Sequence, residues 1–291
     1  MSEKTAIQWA RHTYNHWIGC AKISEACSDC YAINSTPVRV FGIQWGTGKP
    51  RYLTSEENRK KPLTWNRVAE GVEEPVRVFG NSLNDWLDEE VDPCWLSQYL
   101  MLIHRCRNLI WMLLSKRPEN WRDRIEKALR CLEAEKDDPE KETEHHAGTI
   151  AMLKRWLQGT APGHIWVGST TENQRWADER IPALMQIPAA IRFLSVEPMY
   201  GPLQIQSYLK TGLIHWVICG GESKQKRSEA QPFIIGDAQS LMSQCRDAGV
   251  SFFFKQFGSN PIGLDYKLKD KKGGNIVEFP EEFQVQEFPI S

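Results

Sequence analysis

Short apolar runs recur along the chain, and each stops at a polar or glycine-rich tip. Val76-Arg77-Val78-Phe79-Gly80 stops at Asn81-Ser82-Leu83-Asn84-Asp85, and Leu109 to Leu114 stops at Ser115-Lys116-Arg117-Pro118. Ile165-Trp166-Val167-Gly168 is followed by Ser169-Thr170-Thr171-Glu172-Asn173, and Ile191 to Leu194 by Ser195-Val196-Glu197-Pro198. Ile214 to Cys219 runs into Gly220-Gly221-Glu222-Ser223, and Phe252-Phe253-Phe254 into Lys255-Gln256. Runs that are apolar at successive positions predict strands buried on both faces, as in a parallel sheet.

Helical spacing fills most of the intervals. Asp92-Pro93 opens one helix with a capping residue and a proline, and Leu96, Tyr99, Leu100, Ile103 and Cys106 make its apolar stripe. Trp121, Ile125, Leu129 and Leu132 mark a second. Trp176, Ile181, Leu184 and Met185 mark a third, in which Pro182 predicts an irregularity. Ala238, Leu241, Met242 and Cys245 mark a fourth, which ends at Gly249 in a left-handed cap. Repeated βα units predict an α/β fold: a full or partial (β/α) TIM-type barrel with parallel strands. A doubly wound open sheet is the alternative, and both place ligands at the C-terminal ends of the strands.

The remaining stretches are less regular. Residues 6–18 predict a short strand that leads into a cysteine-containing loop, 42–52 a loop, and 56–67 a helix. Residues 133–163 form a charged excursion with a short amphipathic helix at Met152, Leu153, Trp156 and Leu157, and His145-His146 are expected to be exposed. The main domain is therefore expected over 1–258. The polar tail, 259–291, is expected to cover one end of the barrel and to carry no chemistry.

Composition changes this picture little. The 291 residues carry 36 Lys and Arg against 37 Asp and Glu, a formal charge of -1, so the net field neither requires nor excludes nucleic acid. No apolar run reaches the length of a membrane span, and Met1-Ser2-Glu3-Lys4 leads into no signal-peptide core, so a cytoplasmic protein without membrane contact is expected. Its eight cysteines are expected to be reduced. Cys94, Cys106, Cys131, Cys219 and Cys245 stand singly in apolar patterns and are expected to be small core residues.

Cys20, Cys27 and Cys30 are different. They form a C-x6-C-x2-C run behind Gly19, whose backbone freedom suits a tight metal loop. Three thiolates can hold a four-iron cluster with one iron open to an outside ligand. With His16 as a fourth ligand they can instead close around zinc. Unligated thiols are the third reading. No Gly-x-Gly-x-x-Gly motif or phosphate-loop lysine occurs, which disfavours those nucleotide-binding folds.

Taken together, Gly19-Cys20 through Tyr31-Ala32, Phe79 through Asp85, Ser115 through Pro118, Arg192 through Pro198, Gly220 through Ser223 and Phe253 through Gln256 resemble a phage-associated three-cysteine-motif family. That family is similar to radical S-adenosylmethionine (radical SAM) enzymes, including spore photoproduct lyase. The resemblance covers most of the chain to about Gly258. The chain departs from the commonest radical SAM spacing, C-x3-C-x2-C: its first spacer has six residues, Asp29 precedes the last cysteine and Tyr31 follows it.

The resemblance implies a radical SAM-like barrel in which Cys20, Cys27 and Cys30 hold a [4Fe-4S] cluster. S-adenosylmethionine would chelate the open iron and be cleaved at a C–S bond after one-electron reduction by an electron donor. It also implies cofactor contacts at the tips. Asn81, Ser82 and Asp85 would meet the ammonium or carboxylate, with helix capping the competing role for Asp85. Lys116 and Arg117 would hold a carboxylate or a substrate phosphate, or else serve as surface cations. Ser169, Thr170 and Glu172 would bond ribose hydroxyls, while Thr171 would cap a helix.

Glu197 and Lys255 are candidate catalytic residues beside the cysteines, and Glu197 is also a cofactor contact. Gly220 and Gly221 would let a ligand approach the backbone, with Glu222 beside it, and Gln256 would close the ring. The implied function is modification or repair of phage DNA, with Lys116, Arg117, Lys224, Lys226 and Arg227 on phosphates, or turnover of a nucleotide. The alternative is a zinc-stabilised Cys3His binding protein without catalysis. In either case a partner protein encoded alongside is a further expectation.

Overall fold

The computed structural model describes residues 5–28, 30–135, 144–225 and 229–290. Asp29, Lys226, Arg227 and residues 136–143 of the charged excursion lie outside them. The strands are β1 (His12–Tyr14), β2 (Trp17–Ile18), β3 (Tyr52–Leu53), β4 (Val76–Gly80), β5 (Leu109–Ser115), β6 (Ile165–Thr170), β7 (Ile191–Val196), β8 (Trp216–Gly220), β9 (Phe233–Ile234), β10 (Ser251–Gln256) and β11 (Pro261–Ile262). The helices are α1 (Thr36–Val40), α2 (Glu56–Ala69), α3 (Pro93–Arg105), α4 (Trp121–Glu135), α5 (Glu144–Leu157), α6 (Gln174–Met185), α7 (Gln206–Leu209) and α8 (Ile235–Ala248).

Among the described residues, seven strands form a mixed α/β protein's parallel sheet in the order β1-β4-β5-β6-β7-β8-β10. The order follows the chain without reversal. A doubly wound sheet reverses its order at a switch point, so that alternative is excluded, and the sequential order is the one expected of a partial (β/α) barrel. β6, β7 and β8 are buried at every position, because they are covered on both faces. The strand expected over 6–18 is two short ones: β1 joins the sheet, and β2 pairs antiparallel with β3. Among the described residues, no helix is long and apolar enough to cross a membrane.

The chain divides into two compact units. Unit 1 comprises residues 1–23, 32–167 and 187–190, and unit 2 comprises 24–31, 168–186 and 191–291; the division falls inside β6. In unit 1, Asp92 caps α3 as expected, its Oδ1 accepting from Cys94 N at 2.8 Å. Helices α3 and α4 pack together, and this brings Cys94 and Cys131 into a disulfide with Cα atoms 5.4 Å apart. These two are therefore neither reduced nor isolated core residues, whereas Cys106, Cys219 and Cys245 are buried free thiols. His145 is exposed, but His146, one position round α5, turns inward and is buried.

In unit 2, Gly249 ends α8 at φ 66° in the left-handed region, as its position predicted. The tail is joined to the sheet. Phe254 N donates to Val285 O at 2.8 Å and Glu287 N to Phe252 O at 3.0 Å, so the tail closes the open edge of β10. Phe279 and Phe283 pack on Phe254 and Phe257 in the core of this unit. Gly168, within β6, carries the ring of Phe193 against its backbone, and a Cβ there would overlap that ring. Gly168→Ala is expected to destabilise the protein by about 1–3 kcal/mol through overpacking, read as a lower urea midpoint with an unchanged slope.

Candidate functional site

Unit 1 holds the first cysteine. Gly19 follows β2 at φ 118°, and its N–H donates to Leu83 O at 3.1 Å. A side chain at Gly19 would press on Arg51 Cδ, 3.0 Å from an ideal Cβ, so both conformation and space call for glycine here. Arg51 is buried: its Nε donates to Asp88 Oδ2 at 2.8 Å, and its Nη1 to the carbonyls of Lys49 and Gly46. Gly46 N in turn donates to Cys20 O at 3.1 Å, which ties this loop to the cysteine.

The tip of β4 locks onto the end of β1. Asn15 Oδ1 accepts from Leu83 N at 2.7 Å, and Asn15 Nδ2 donates to Ser82 Oγ at 2.8 Å. Asn81 has φ 93°, a backbone that asparagine tolerates better than most residues. Its Oδ1 accepts from Tyr99 Oη at 3.3 Å, and its Nδ2 donates to Asn84 Oδ1 at 2.5 Å. Asn81 and Ser82 therefore build the tip itself.

Asp85 is buried and fully engaged. Its carboxylate accepts from Leu87 N at 3.0 Å, Ser115 Oγ at 2.6 Å, Lys116 N at 2.9 Å and Arg117 Nη1 at 2.9 Å. It joins the β4 tip to the β5 tip and, through Arg117, to Cys20. Arg117 Nη1 lies 3.8 Å from Cys20 Sγ, and Arg117 Nη2 donates to Ala21 O at 3.0 Å. Burial, reinforced by the charge of Asp85, pushes the Cys20 thiol above its ordinary value, against the pull of Arg117.

Arg117 also forms an ion pair with Glu89 at 3.1 Å, so its guanidinium is committed inside the protein rather than presented to a phosphate. Lys116 is half-buried on the same turn. His16 packs among Tyr14, Trp17 and Tyr99, with its Nδ1 2.8 Å from Tyr14 Oη. Burial and the charge of Arg59 lower its pKa to about 3, so it is a neutral imidazole in an aromatic setting.

Unit 2 holds Cys27 and Cys30. Cys27 ends a short 3-10 turn, Glu25–Cys27, and its Sγ lies 3.5 Å from Ser24 Oγ. The turn is latched to α6: Trp176 Nε1 donates to Glu25 Oε2 at 2.7 Å and holds that carboxyl below its usual range. The Trp176 ring in turn receives two guanidinium groups, Arg175 at 4.6 Å and Arg180 at 4.0 Å from its centroid. Arg180 Nη1 donates to Glu172 Oε2 at 2.7 Å and to Thr170 O at 2.8 Å. Glu172 is 0 % exposed and Arg180 2 %, so this carboxylate neutralises a buried cation. Thr171 N donates to Ser195 O, Asn173 rather than Thr171 caps α6, and Ser169 is buried in β6.

Glu197 and Lys255, at the ends of β7 and β10, form an ion pair that keeps 17 % and 19 % of its side-chain surface exposed. The Glu197–Pro198 peptide is cis. Gly221 donates to Gln256 O at 2.9 Å, and a Cβ on it would overlap the Phe257 carbonyl. The close approach that Gly220-Gly221 permits is thus made at Gly221 by the protein's own backbone. Gln256 Nε2 bridges Gly221 O and Ser223 Oγ. Glu222 accepts from Tyr200 Oη at 3.2 Å and Gln231 N at 2.9 Å. A cavity of about 510 Å³ is lined by Glu25, Ser28, Tyr200, Gly201, Gln231 and Pro232. Among the described residues, no group of three or more His, Cys, Asp or Glu side chains is disposed to hold a metal ion.

Sequence reasoning missed Arg51, Asp88, Trp176 and Arg180. Arg180 left a readable signal: it falls on the buried stripe of α6 with Ala177, Ile181 and Leu184. A cation on an apolar helix face requires a buried partner. Arg51 left none, since it lies in an irregular loop.

The fold and these clusters define a mixed α/β protein of sequential parallel strands, with polar networks at the strand tips and a three-cysteine segment after the first strands. The chain belongs to the family described as "Protein of unknown function (DUF5131)", whose model matches residues 4–279. No curated protein and no solved structure matches it.

Proposed function

We propose that the protein is an iron–sulfur enzyme of the radical SAM type that modifies a nucleic acid or a nucleotide. The carrying observation is the setting of Cys20. It sits in a loop against a buried guanidinium donor, unlike Cys106, Cys219 and Cys245 in the apolar core. Thiolates of iron–sulfur clusters take N–H···S bonds of this kind, and a three-thiolate donor set suits a four-iron cluster with an open iron. The sequential βα order and the polar tips support the same reading.

Cys20, Cys27 and Cys30 would hold the cluster. When bound, the reduced cluster supplies the electron that breaks a C–S bond of S-adenosylmethionine. The chain's own groups then have separable tasks. Asp85 and Arg117 orient the Cys20 loop, and Glu25 with Trp176 orients the Cys27 turn. Glu197 and Lys255, which remain partly exposed, can each release the other to bind an ammonium or a carboxylate.

His16 Nδ1 is taken up by Tyr14 Oη among aromatic rings, and this reading leaves that side chain out of the metal site. Lys224 forms an ion pair with Glu229, so a phosphate must displace an acid to reach it. This leaves DNA and free nucleotide as substrates to be separated by experiment. Anaerobic purification is expected to give brown protein with about four irons and four sulfides per chain; Cys20→Ser, Cys27→Ser and Cys30→Ser should each lose most of that iron. Dithionite-reduced protein should then consume S-adenosylmethionine. Colourless protein carrying one zinc would overturn the reading. Retention on single-stranded DNA at low salt would select nucleic acid over nucleotide.

A further inference from the structure

We infer that the segment from Arg39 to Lys49 is a docking element for single-stranded nucleic acid, with Phe41 as a base-stacking platform and Arg39 and Lys49 as phosphate contacts. The segment lies wholly in unit 1. This role goes beyond the cluster reading, since it selects a strand over a free nucleotide and needs no iron.

The exposed ring is built onto a well-bonded cap. Helix α1 ends at Phe41, and Gly42 turns the chain at φ 61°. Ile43 N donates back to Val38 O at 3.0 Å, and Phe41 N to Pro37 O at 3.0 Å. A left-handed glycine followed by such a backward bond is the Schellman ending of a helix, which sets an apolar residue on either side of the turn. Val38 and Ile43 hold those two places, and both are buried. With them turned inward, Val40 and Phe41 are left 69 % and 75 % exposed. Two adjacent apolar side chains held in water by a bonded turn carry a hydration cost that a partner relieves. Tyr52 follows on β3 as a second exposed ring.

Charge decides which partner. From Ala32 to Ser55 the chain has no Asp or Glu, although it carries 37 of them in all. Arg39 and Lys49 are exposed, and among the described residues neither side chain forms an ion pair. Glu90, beside Gly48, is already taken: it accepts from Gly48 N at 2.8 Å and from Arg51 Nη2 at 3.1 Å. Glu56, the first acid after the stretch, pairs with Lys60. The partner must therefore bring negative charge together with flat apolar surface. A single strand supplies both at short, regular spacing, because its bases stack on aromatic rings whatever their sequence and its phosphates meet the cations. A membrane surface fits less well. Helix α1 has five residues and offers two exposed apolar side chains, too few for an interfacial helix.

The test measures fluorescence anisotropy of a labelled oligothymidylate strand titrated with the full-length protein. Binding is expected at low salt and should weaken as salt rises. Phe41→Ala should weaken it about 5- to 150-fold, the value of one base–ring stack, and Phe41→Trp should restore it. Arg39→Ala and Lys49→Ala should each make the slope of log affinity against log salt shallower by about 0.7. Val277→Ala trims an exposed apolar side chain in the unit 2 tail and should change neither affinity nor slope. All four positions lie on the surface, and unchanged urea midpoints will show that folding is intact. No binding at low salt, or binding that Phe41→Ala leaves unaltered, overturns the inference. Phe41-dependent binding to anionic phospholipid vesicles in place of the strand also overturns it and makes the segment a membrane contact. Iron analysis is a separate readout. Colourless protein that binds the strand through Phe41 removes the cluster and keeps the docking element; brown protein that does not bind keeps the cluster and removes the docking element.

Discussion

Asp85→Ala is expected to cost about 3–5 kcal/mol of stability, the range for removing one partner of a buried ion pair. The loss exceeds that of an ordinary salt bridge for a structural reason. The alanine leaves Arg117 buried without its nearest anion and strips an acceptor from Ser115 Oγ and from the backbone N–H groups of Leu87 and Lys116. Against a domain stability of about 5–15 kcal/mol, this is a large fraction. Equilibrium urea unfolding followed by tryptophan fluorescence measures it. Asp85→Asn keeps an acceptor for one of the two backbone donors, which bond different carboxylate oxygens, and should cost less. Equal losses for both variants would show that shape rather than charge holds these two strand tips together.

Glu172→Ala is expected to have the second large effect, again about 3–5 kcal/mol, because it abandons Arg180 among Ala177, Ile181 and Leu184. It should also act at a distance from itself. Arg180 lies on the Trp176 ring, and Trp176 holds Glu25 in the turn that carries Cys27. Releasing Arg180 is therefore expected to loosen the turn as well as the helix, raising hydrogen–deuterium exchange at the amides of Cys27 and Ser28, which donate to Ser24 O and Glu25 O. Glu172→Ala/Arg180→Leu removes the stranded cation and should recover most of the stability. It should not restore protection of the Cys27 turn, since Trp176 loses one of its two cations. Recovery of both would separate the latch from the ion pair.

How much of this was readable beforehand can be judged from particular residues. The capping roles of Asp92 and Gly249 were legible because they depend on neighbours within a few positions. The six apolar runs were legible as strands because burial on both faces leaves no polar face to disguise them. Gly220-Gly221 was legible as a place of close approach, but the approaching group was not. It is the Phe257 backbone, 36 positions after Gly221 in sequence, rather than a ligand. Arg117 read as a cation at a strand end, available to a phosphate. Its actual partners, Asp85, Cys20 and Ala21, lie outside any local pattern.

The tail shows the same division. Its polar composition and its glycines at 273 and 274 read as loop, and most of it is irregular. Yet Phe279, Phe283 and the backbone near Val285 complete unit 2, because β10 ends the sheet and its unpaired edge requires donors and acceptors from somewhere. Cys94 and Cys131 meet for a related reason. The helices that carry them were each predicted from apolar spacing, but the face on which two helices pack decides which half-buried residues come together.

By itself, then, the sequence determined the alternation of strands and helices, the polar character of the strand tips and the concentration of three cysteines behind Gly19. Those features depend on periodicity and on the conformational preferences of single residues. Only the tertiary structure decided the sequential order of the sheet, the pairing of Cys94 with Cys131, and which tip residues remain available. Asp85, Glu172 and Glu222 are engaged within the protein, while Glu197 and Lys255 stay partly exposed. The reason is that a buried charge must find its counter-charge or donor wherever packing places one, and along this chain those partners lie from two residues away, as Leu87 does from Asp85, to nearly a hundred, as Cys20 does from Arg117.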